Sequence, residues 1–147
     1  MKNPEALDWY QFAQMDLQSA KTLDKHSIPK PLEIICYLSE QCVEKMLKGF
    51  LVANSQNPPR THDLPMLCDL CIEKDERFCE LSDICEFLTL YGVQPRYPNE
   101  LEIIDEDVNK ALRYIQTVID FFERCGLMEI QEQETGQVKF SPSRNGE

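Results

Sequence analysis

The stretch LEIICYLSEQCVEKMLKGFLVAN, residues 32–54, decides the fold of this chain. With side chains set at about 100° per residue, its apolar positions cover roughly half of the circumference of a helix. That face contains Ile35, Leu38, Cys42, Val43, Met46, Leu47, Phe50 and Ala53. Gln41, Glu44 and Lys48 fall on the opposite side, and Lys45 lies near the border. We therefore predict that residues 32–54 form the most buried helix of the protein.

The segment before this stretch also has helical spacing. Pro4 suits the first turn of a helix, and we predict that this helix runs from about Pro4 to Lys25. Its predicted apolar arc contains Ala6, Trp9, Phe12, Ala13, Leu17, Ala20 and Leu23. Two prolines in HSIPKP, residues 26–31, separate it from the central helix. The two helices are therefore expected to be neighbours joined by a short connection.

Three further helices are predicted after the central one. Asp63 or Thr61 can cap the first of them, and Gly126 is placed to end the last, which starts near Glu106 and ends at Arg124. Their apolar positions include Leu64, Leu67, Cys68, Cys71, Leu81, Ile84, Cys85, Leu88, Val108, Ala111, Leu112, Ile115, Val118, Ile119 and Phe122. The alternation typical of strands is absent. The predicted fold is all-α, an antiparallel up-and-down bundle of four to five helices.

Length and composition define the organisation of the chain. Its 147 residues suit one domain, which we place at residues 1–126, followed by a polar tail at 127–147 that we expect to be disordered. The net charge of −11 makes nucleic-acid binding an unfavourable expectation. We find neither a membrane-spanning run nor a secretory signal, and the seven cysteines suit reduced thiols. These features predict a cytoplasmic protein.

Asp16 is the most unusual residue of the first helix, because it falls near the centre of the apolar arc. A carboxylate there needs a cation or hydrogen-bond donors. Lys45 is one candidate partner. Arg96 is the other and our preferred one, since the prolines of YGVQPRYPNE, residues 91–100, hold it in an extended elbow beside Tyr97. The pair is either structural or the wall of a pocket for an anionic, planar ligand.

Other residues that could carry chemistry have structural interpretations. The cysteines of CDLC, residues 68–71, lie on an apolar helix face, so we predict no metal site. His26 and His62 have no Ser or Cys suggestively near in sequence, and no glycine-rich phosphate loop occurs. We therefore assign no catalytic residue and no cofactor. Tyr114 and Phe121 fall outside the core arc of the last helix, which suggests a surface covered by a partner chain.

Four segments together resemble HEPN domains. WYQFAQMDLQSAKTL, residues 9–23, is similar to their first helix, and ICYLSEQCVEKMLKGFLV, residues 35–52, is similar to their second. RTHDLPML, residues 60–67, and RYP, residues 96–98, resemble the segments that follow in the same order. The resemblance covers about residues 5–125. Each motif is loose by itself, and the four in this order are fairly specific.

The resemblance implies a helical bundle that forms a homodimer. It also implies binding of a nucleotide, or of a minimal nucleotidyltransferase encoded separately, as in some toxin–antitoxin pairs. From the residues and this resemblance together we assign Asp16, Lys45, Arg96 and Tyr97 to the ligand site. Possible additional members are Gln41, Glu44, Lys48 and His62.

A second role within the same family is that of a metal-independent ribonuclease with an Arg-x4–6-His motif. This chain lacks that spacing, because Arg60 is only two residues before His62 and no histidine follows. We therefore favour a non-catalytic binding protein. The alternatives are a degenerate ribonuclease that uses Arg96 and His62, and an interaction module without a ligand.

Overall fold

The computed structural model describes residues 4–92, 102–132 and 138–142. Within these residues the chain forms the helices α1 (Pro4–His26), α2 (Leu32–Ala53), α3 (Leu64–Lys74), α4 (Ser82–Leu88) and α5 (Asp105–Arg124). Short 3₁₀ helices occupy Glu76–Leu81 and Thr89–Tyr91. The predicted all-α bundle is confirmed. None of the helices in the described residues has the length and apolar content that crossing a membrane requires.

Helix α2 lies at the centre of the bundle and packs against α1, α3 and α5. Its approach to α1 is close because residue 49 is a glycine. The ring of Tyr10 lies where a side chain would start, and a Cβ atom at Gly49 would be 2.5 Å from Tyr10 Cε1. The pair of helices therefore depends on Gly49 for its spacing.

This contact corrects the predicted face of α1. Tyr10 is fully buried, whereas Trp9 is only half-buried and Phe12 is 54% exposed. Trp9 and Phe12 were expected in the core, but the space beside Gly49 admits Tyr10 and turns the helix so that Phe12 faces outward. Ala6, Ala13, Leu17 and Ala20 are buried as predicted.

An aromatic cluster fills the core between α2 and α5. Phe78 lies at its centre, with ring centroids 4.4 Å from Phe50, 4.9 Å from Phe121 and 5.6 Å from Phe122. Phe121 is thus buried within the chain, and its predicted role as a surface for a partner is wrong. Tyr114 packs beside Phe87 at 5.3 Å. The 3₁₀ helix that carries Phe78 was not predicted, which explains the error for Phe121.

The ends of two helices follow the predicted chemistry. Asp63 caps α3, because its Oδ1 accepts a hydrogen bond from the backbone N–H of Met66 at 3.2 Å. Thr61 Oγ1 instead accepts from the N–H of Asp63. Gly126 follows α5 with φ of +69°, in the left-handed region that favours glycine. Asp63 thus marks where the chain enters α3, and Gly126 marks where it leaves α5.

The segment after Gly126 differs from the predicted disordered tail. Residues Met128–Glu132 (β1) and Val138–Pro142 (β2) form an antiparallel hairpin in which Ile130 pairs with Phe140. Phe140 is fully buried, and its N–H donates to Gln14 Oε1 on α1 at 2.9 Å. The apolar residues of each strand alternate over only five positions, a signal too short to stand out in a polar sequence. Residues 133–137 and 143–147 lie outside the described part of the chain.

Candidate functional site

Helix α2 buries several charged and amide side chains, three of which the sequence placed opposite the core. Gln41, Glu44 and Lys48 are each less than a tenth exposed, and Glu40 is fully buried. Residues from the chain around α2 cover them. His62 contacts Glu44, Trp9 lies under the ammonium group of Lys48, and Gly92 lies against Glu40. Buried charges of this kind require partners, which makes this face of α2 the candidate site.

Asp16 and Lys45 form an ion pair between α1 and α2. Lys45 Nζ donates to Asp16 Oδ2 at 2.5 Å, and both side chains are largely buried. Burial raises the pKa of Asp16, and the hydrogen bond and charge of Lys45 offset part of that rise. Lys45 is therefore the partner that the described residues show for Asp16. Arg96 and Tyr97 lie outside the described residues, and the pairing of Arg96 with Asp16 stays a prediction.

Glu44 connects the buried face to the surface. Its Oε2 accepts from Lys48 Nζ at 3.0 Å, and its Oε1 lies 2.8 Å from Nδ1 of His62. Lys48 Nζ lies 5.6 Å from the centre of the Trp9 ring, within the range of a cation–π interaction. The side chain of His62 is 66% exposed. One buried carboxylate thus holds an ammonium group and an exposed imidazole in fixed positions.

Glu40 lies one turn before Glu44 and was not assigned to the site from the sequence. Its Oε2 accepts from Gln41 Nε2 at 2.8 Å, and its Oε1 has no partner in the described part of the chain. Burial, followed by the negative charge of Glu44, raises the pKa of Glu40 to about 8. A helical projection could have identified it, because Glu40 points in nearly the same direction as the buried Leu47.

A groove with a volume of about 590 Å³ opens beside this cluster. Trp9 and the adjacent Pro58 and Pro59 contribute apolar surface, while Lys48 and Arg60 contribute positive charge. The other lining residues are Glu5, Asp8, Val52 and Asn57. The carboxylates of Glu5 and Asp8 balance the two cations, so the groove suits a flat ligand whose anionic group contacts Arg60 and Lys48 and whose polar donors face Glu5 and Asp8. Trp9 and Arg60 were not assigned to a ligand site from the sequence.

The cysteines of residues 68–71 belong to the core. Cys68 donates to the carbonyl of Phe78, and Cys71 donates to the carbonyl of Leu47. All seven cysteines carry free thiols. Across residues 4–92, 102–132 and 138–142, no group of three or more His, Cys, Asp or Glu side chains is arranged to hold a metal ion.

The fold and this buried charged face define the protein as an all-α bundle domain with polar residues on its central helix. The sequence matches the HEPN domain over residues 6–125, and the chain belongs to the HEPN family. The matched region begins in the first turn of α1, continues through α5 and ends before the hairpin.

A solved structure agrees with this assignment of the fold. The chain is similar to the protein TT1696 from Thermus thermophilus, with a TM-score of 0.64 and 22% sequence identity. The match covers 83% of this chain and 98% of TT1696. No curated protein matches this chain.

Proposed function

We propose that this HEPN protein is a non-catalytic, dimeric binding subunit for a nucleotide, for a minimal nucleotidyltransferase, or for both. The observation that carries the proposal is the position of Lys48, which Glu44 holds at a groove beside Trp9 and Arg60. A lysine that is almost fully buried has lost most of its contact with water, and this desolvation lowers the stability of the fold. A role in binding would explain why the chain keeps a lysine there. A system with a nucleotidyltransferase partner would be similar to a toxin–antitoxin pair.

The groove supplies the two kinds of contact that a nucleotide needs. Arg60 and Lys48 offer donors and positive charge for phosphate groups, and the ring of Trp9 offers a face for a base. Asp16 and Lys45 lie on the same side of α2, close enough that the charge of Glu44 acts on Asp16. Arg96 and Tyr97 would contribute a further cation and a further aromatic face, as we predict from the sequence.

Calorimetric titration with ATP and AMP tests this proposal. We expect binding by the wild type and an affinity about tenfold lower for Arg60→Gln, since one charge-assisted hydrogen bond is lost. Arg60 is exposed, so its replacement should leave the fold intact. Lys25→Gln is the matched control, because Lys25 is equally exposed and lies outside the groove. The protein has a single tryptophan, so quenching of its fluorescence should report the same event. Absence of binding, with or without a nucleotidyltransferase partner, would refute the nucleotide part of the proposal.

The dimer is proposed on a different surface from the one suggested by the sequence. Phe12 and Met15, on neighbouring turns of α1, are 54% and 59% exposed. Two large apolar side chains on one exposed helix face suit a contact with a second chain. Sedimentation at micromolar concentration should show a dimer that Phe12→Glu weakens. Ile28→Glu is the control, because Ile28 is almost fully exposed and lies after the end of α1.

The degenerate ribonuclease is a second candidate because of one specific contact. Glu44 holds the exposed His62, and a carboxylate–imidazole pair can take part in proton transfer. The missing Arg-x4–6-His spacing favours the non-catalytic role. We therefore expect no cleavage of unstructured RNA by the pure protein. Cleavage that His62→Ala abolishes would establish the enzyme instead.

A further inference from the structure

The carboxyl group of Glu40 has an unsatisfied atom in a fully buried position. Gln41 donates to one of its oxygens, and the other has no partner among the described residues. A side chain at position 92 would start 3.1 Å from the carboxyl carbon of Glu40, so Gly92 allows the backbone to close over it. An ionised carboxylate with one unpaired oxygen is unfavourable in such a place.

A proton on Glu40 resolves this problem. Glu40 and Glu44 lie one turn apart on α2, and a proton on one of them would let its carboxyl group donate a hydrogen bond to the other. Glu44 accepts from Lys48 and contacts His62, so it is the member of the pair that stays ionised. Glu40 then carries the proton. This assignment agrees with the raised pKa of Glu40, about 8.

The charged groups around Glu40 determine what its ionisation would do. Gln41, Glu44 and Lys48 of α2 act on it directly, Gly92 presents only backbone, and His62 reaches the pair through Glu44. A second negative charge would repel Glu44 and attract the ammonium group of Lys48. Lys48 would then share its hydrogen bonds between two carboxylates, and its position beside Trp9 and the contact of Glu44 with His62 would change.

We infer that protonated Glu40 is a positioning residue for the groove, which acts through Glu44 to hold Lys48 and His62 in place. The inference rests on the proposed function only where it concerns a ligand, since the contacts themselves exist in the free protein. When Glu40 loses its proton at mildly alkaline pH, Lys48 should leave its position beside Trp9, and the groove should bind an anionic ligand less tightly.

Proton NMR of the histidine rings tests the inference without a ligand. The protein has two histidines, and His62→Ala assigns the signals. We expect the His62 signals to shift near pH 8 in the wild type, as Glu40 ionises. Glutamine at position 40 is a neutral hydrogen-bond donor at every pH. In Glu40→Gln the His62 signals should therefore not show the change near pH 8. Glu40→Leu removes the donor and should shift the signals of His62 already at pH 7. His26, distant in sequence and exposed, serves as the internal reference.

Two outcomes would overturn the inference. One is a transition that persists in Glu40→Gln, and the other is His62 signals in Glu40→Leu at pH 7 that match the wild type. Titration with ATP adds a functional readout. Raising the pH from 7 to 9 should weaken binding by about tenfold in the wild type, as for the loss of one well-placed charge, and by clearly less in Glu40→Gln. If the wild type binds no ATP at pH 7, the proposed function fails, and the histidine signals still decide the role of Glu40.

Discussion

Two sides of α2 are buried to the same degree and by different physics. On one side Phe50 packs against Phe78 in a cluster held by non-directional apolar contacts. On the other side Glu44 and Lys48 are buried through specific hydrogen bonds, and Glu40 keeps an oxygen that no described residue satisfies. The comparison shows that burial alone does not distinguish the core from the candidate site. What distinguishes the polar side is its set of charged hydrogen bonds, since Tyr10 Oη in the core also lacks a hydrogen-bond partner among the described residues.

The largest expected loss of stability comes from a substitution in the aromatic cluster. Phe78→Ala removes the ring that contacts Phe50, Phe121 and Phe122, and should lower the free energy of unfolding by about 3–5 kcal/mol. Urea denaturation followed by circular dichroism measures this loss. Ile28→Ala is the control, since Ile28 is almost fully exposed and its replacement should change stability by less than about 0.5 kcal/mol. Equal losses for both variants would contradict the assigned core.

A smaller effect is expected on the polar side, where the free energy of unfolding should depend on pH through Glu40. The pKa of Glu40 rises from 4.5 in the unfolded chain to about 8 in the folded protein. The folded state therefore binds the extra proton between these values, and stability should fall as the pH rises from about 4.5 to about 8. Each pKa unit corresponds to about 1.4 kcal/mol, which sets an upper limit of about 5 kcal/mol, and we expect roughly 3.

The variant Glu40→Gln isolates this contribution. It cannot ionise, so its stability should depend less on pH than that of the wild type over the same window. Parallel urea titrations at pH 5 and pH 8.5 provide the comparison. The same pH dependence in both proteins would mean that Glu40 is ionised throughout, and that the polar side is an ordinary set of ion pairs.

The smallest effect concerns the ion pair of Asp16 and Lys45. Lys45→Met leaves a largely buried carboxylate without its cation and should destabilise the protein by about 1–2 kcal/mol, since residual solvent exposure weakens the full penalty of a buried pair. The double variant with Asp16→Asn should recover part of the loss. A thermal denaturation cycle measures the coupling. Additive losses would show that Asp16 and Lys45 do not stabilise each other.

Most of the fold is readable from periodicity. The ends of α1, α2 and α5 agree with the prediction to within one residue, because prolines, Gly126 and apolar spacing mark them. The orientation of α1 was not readable, since it depends on the contact of Tyr10 with Gly49 between two helices. The hairpin was missed because its apolar residues alternate over only a few positions. Its packing depends on the contact of Phe140 with α1, which the sequence does not show.

The members of the candidate site could be predicted only in part, for a related reason. Asp16, Lys45, Glu44, Lys48 and His62 were identified from the sequence, and the structure brings them together in two connected sets. Their burial was not predicted, because a helical projection shows which way a side chain points and not which loop covers it. Arg60 and Trp9 became candidates only through the shape of the groove.

Hydrogen exchange with and without ATP tests the central claim, that the polar side of α2 is a binding site and the aromatic side is scaffold. Mass spectrometry would follow peptides from residues 5–10 and 57–64, which line the groove on the polar side, and from residues 78–88 and 115–122 on the aromatic side. We predict that ATP slows exchange in the first pair of segments and leaves the second pair unchanged. Slower exchange around residues 78–88 alone, or no change in any segment at saturating ATP, would contradict the claim.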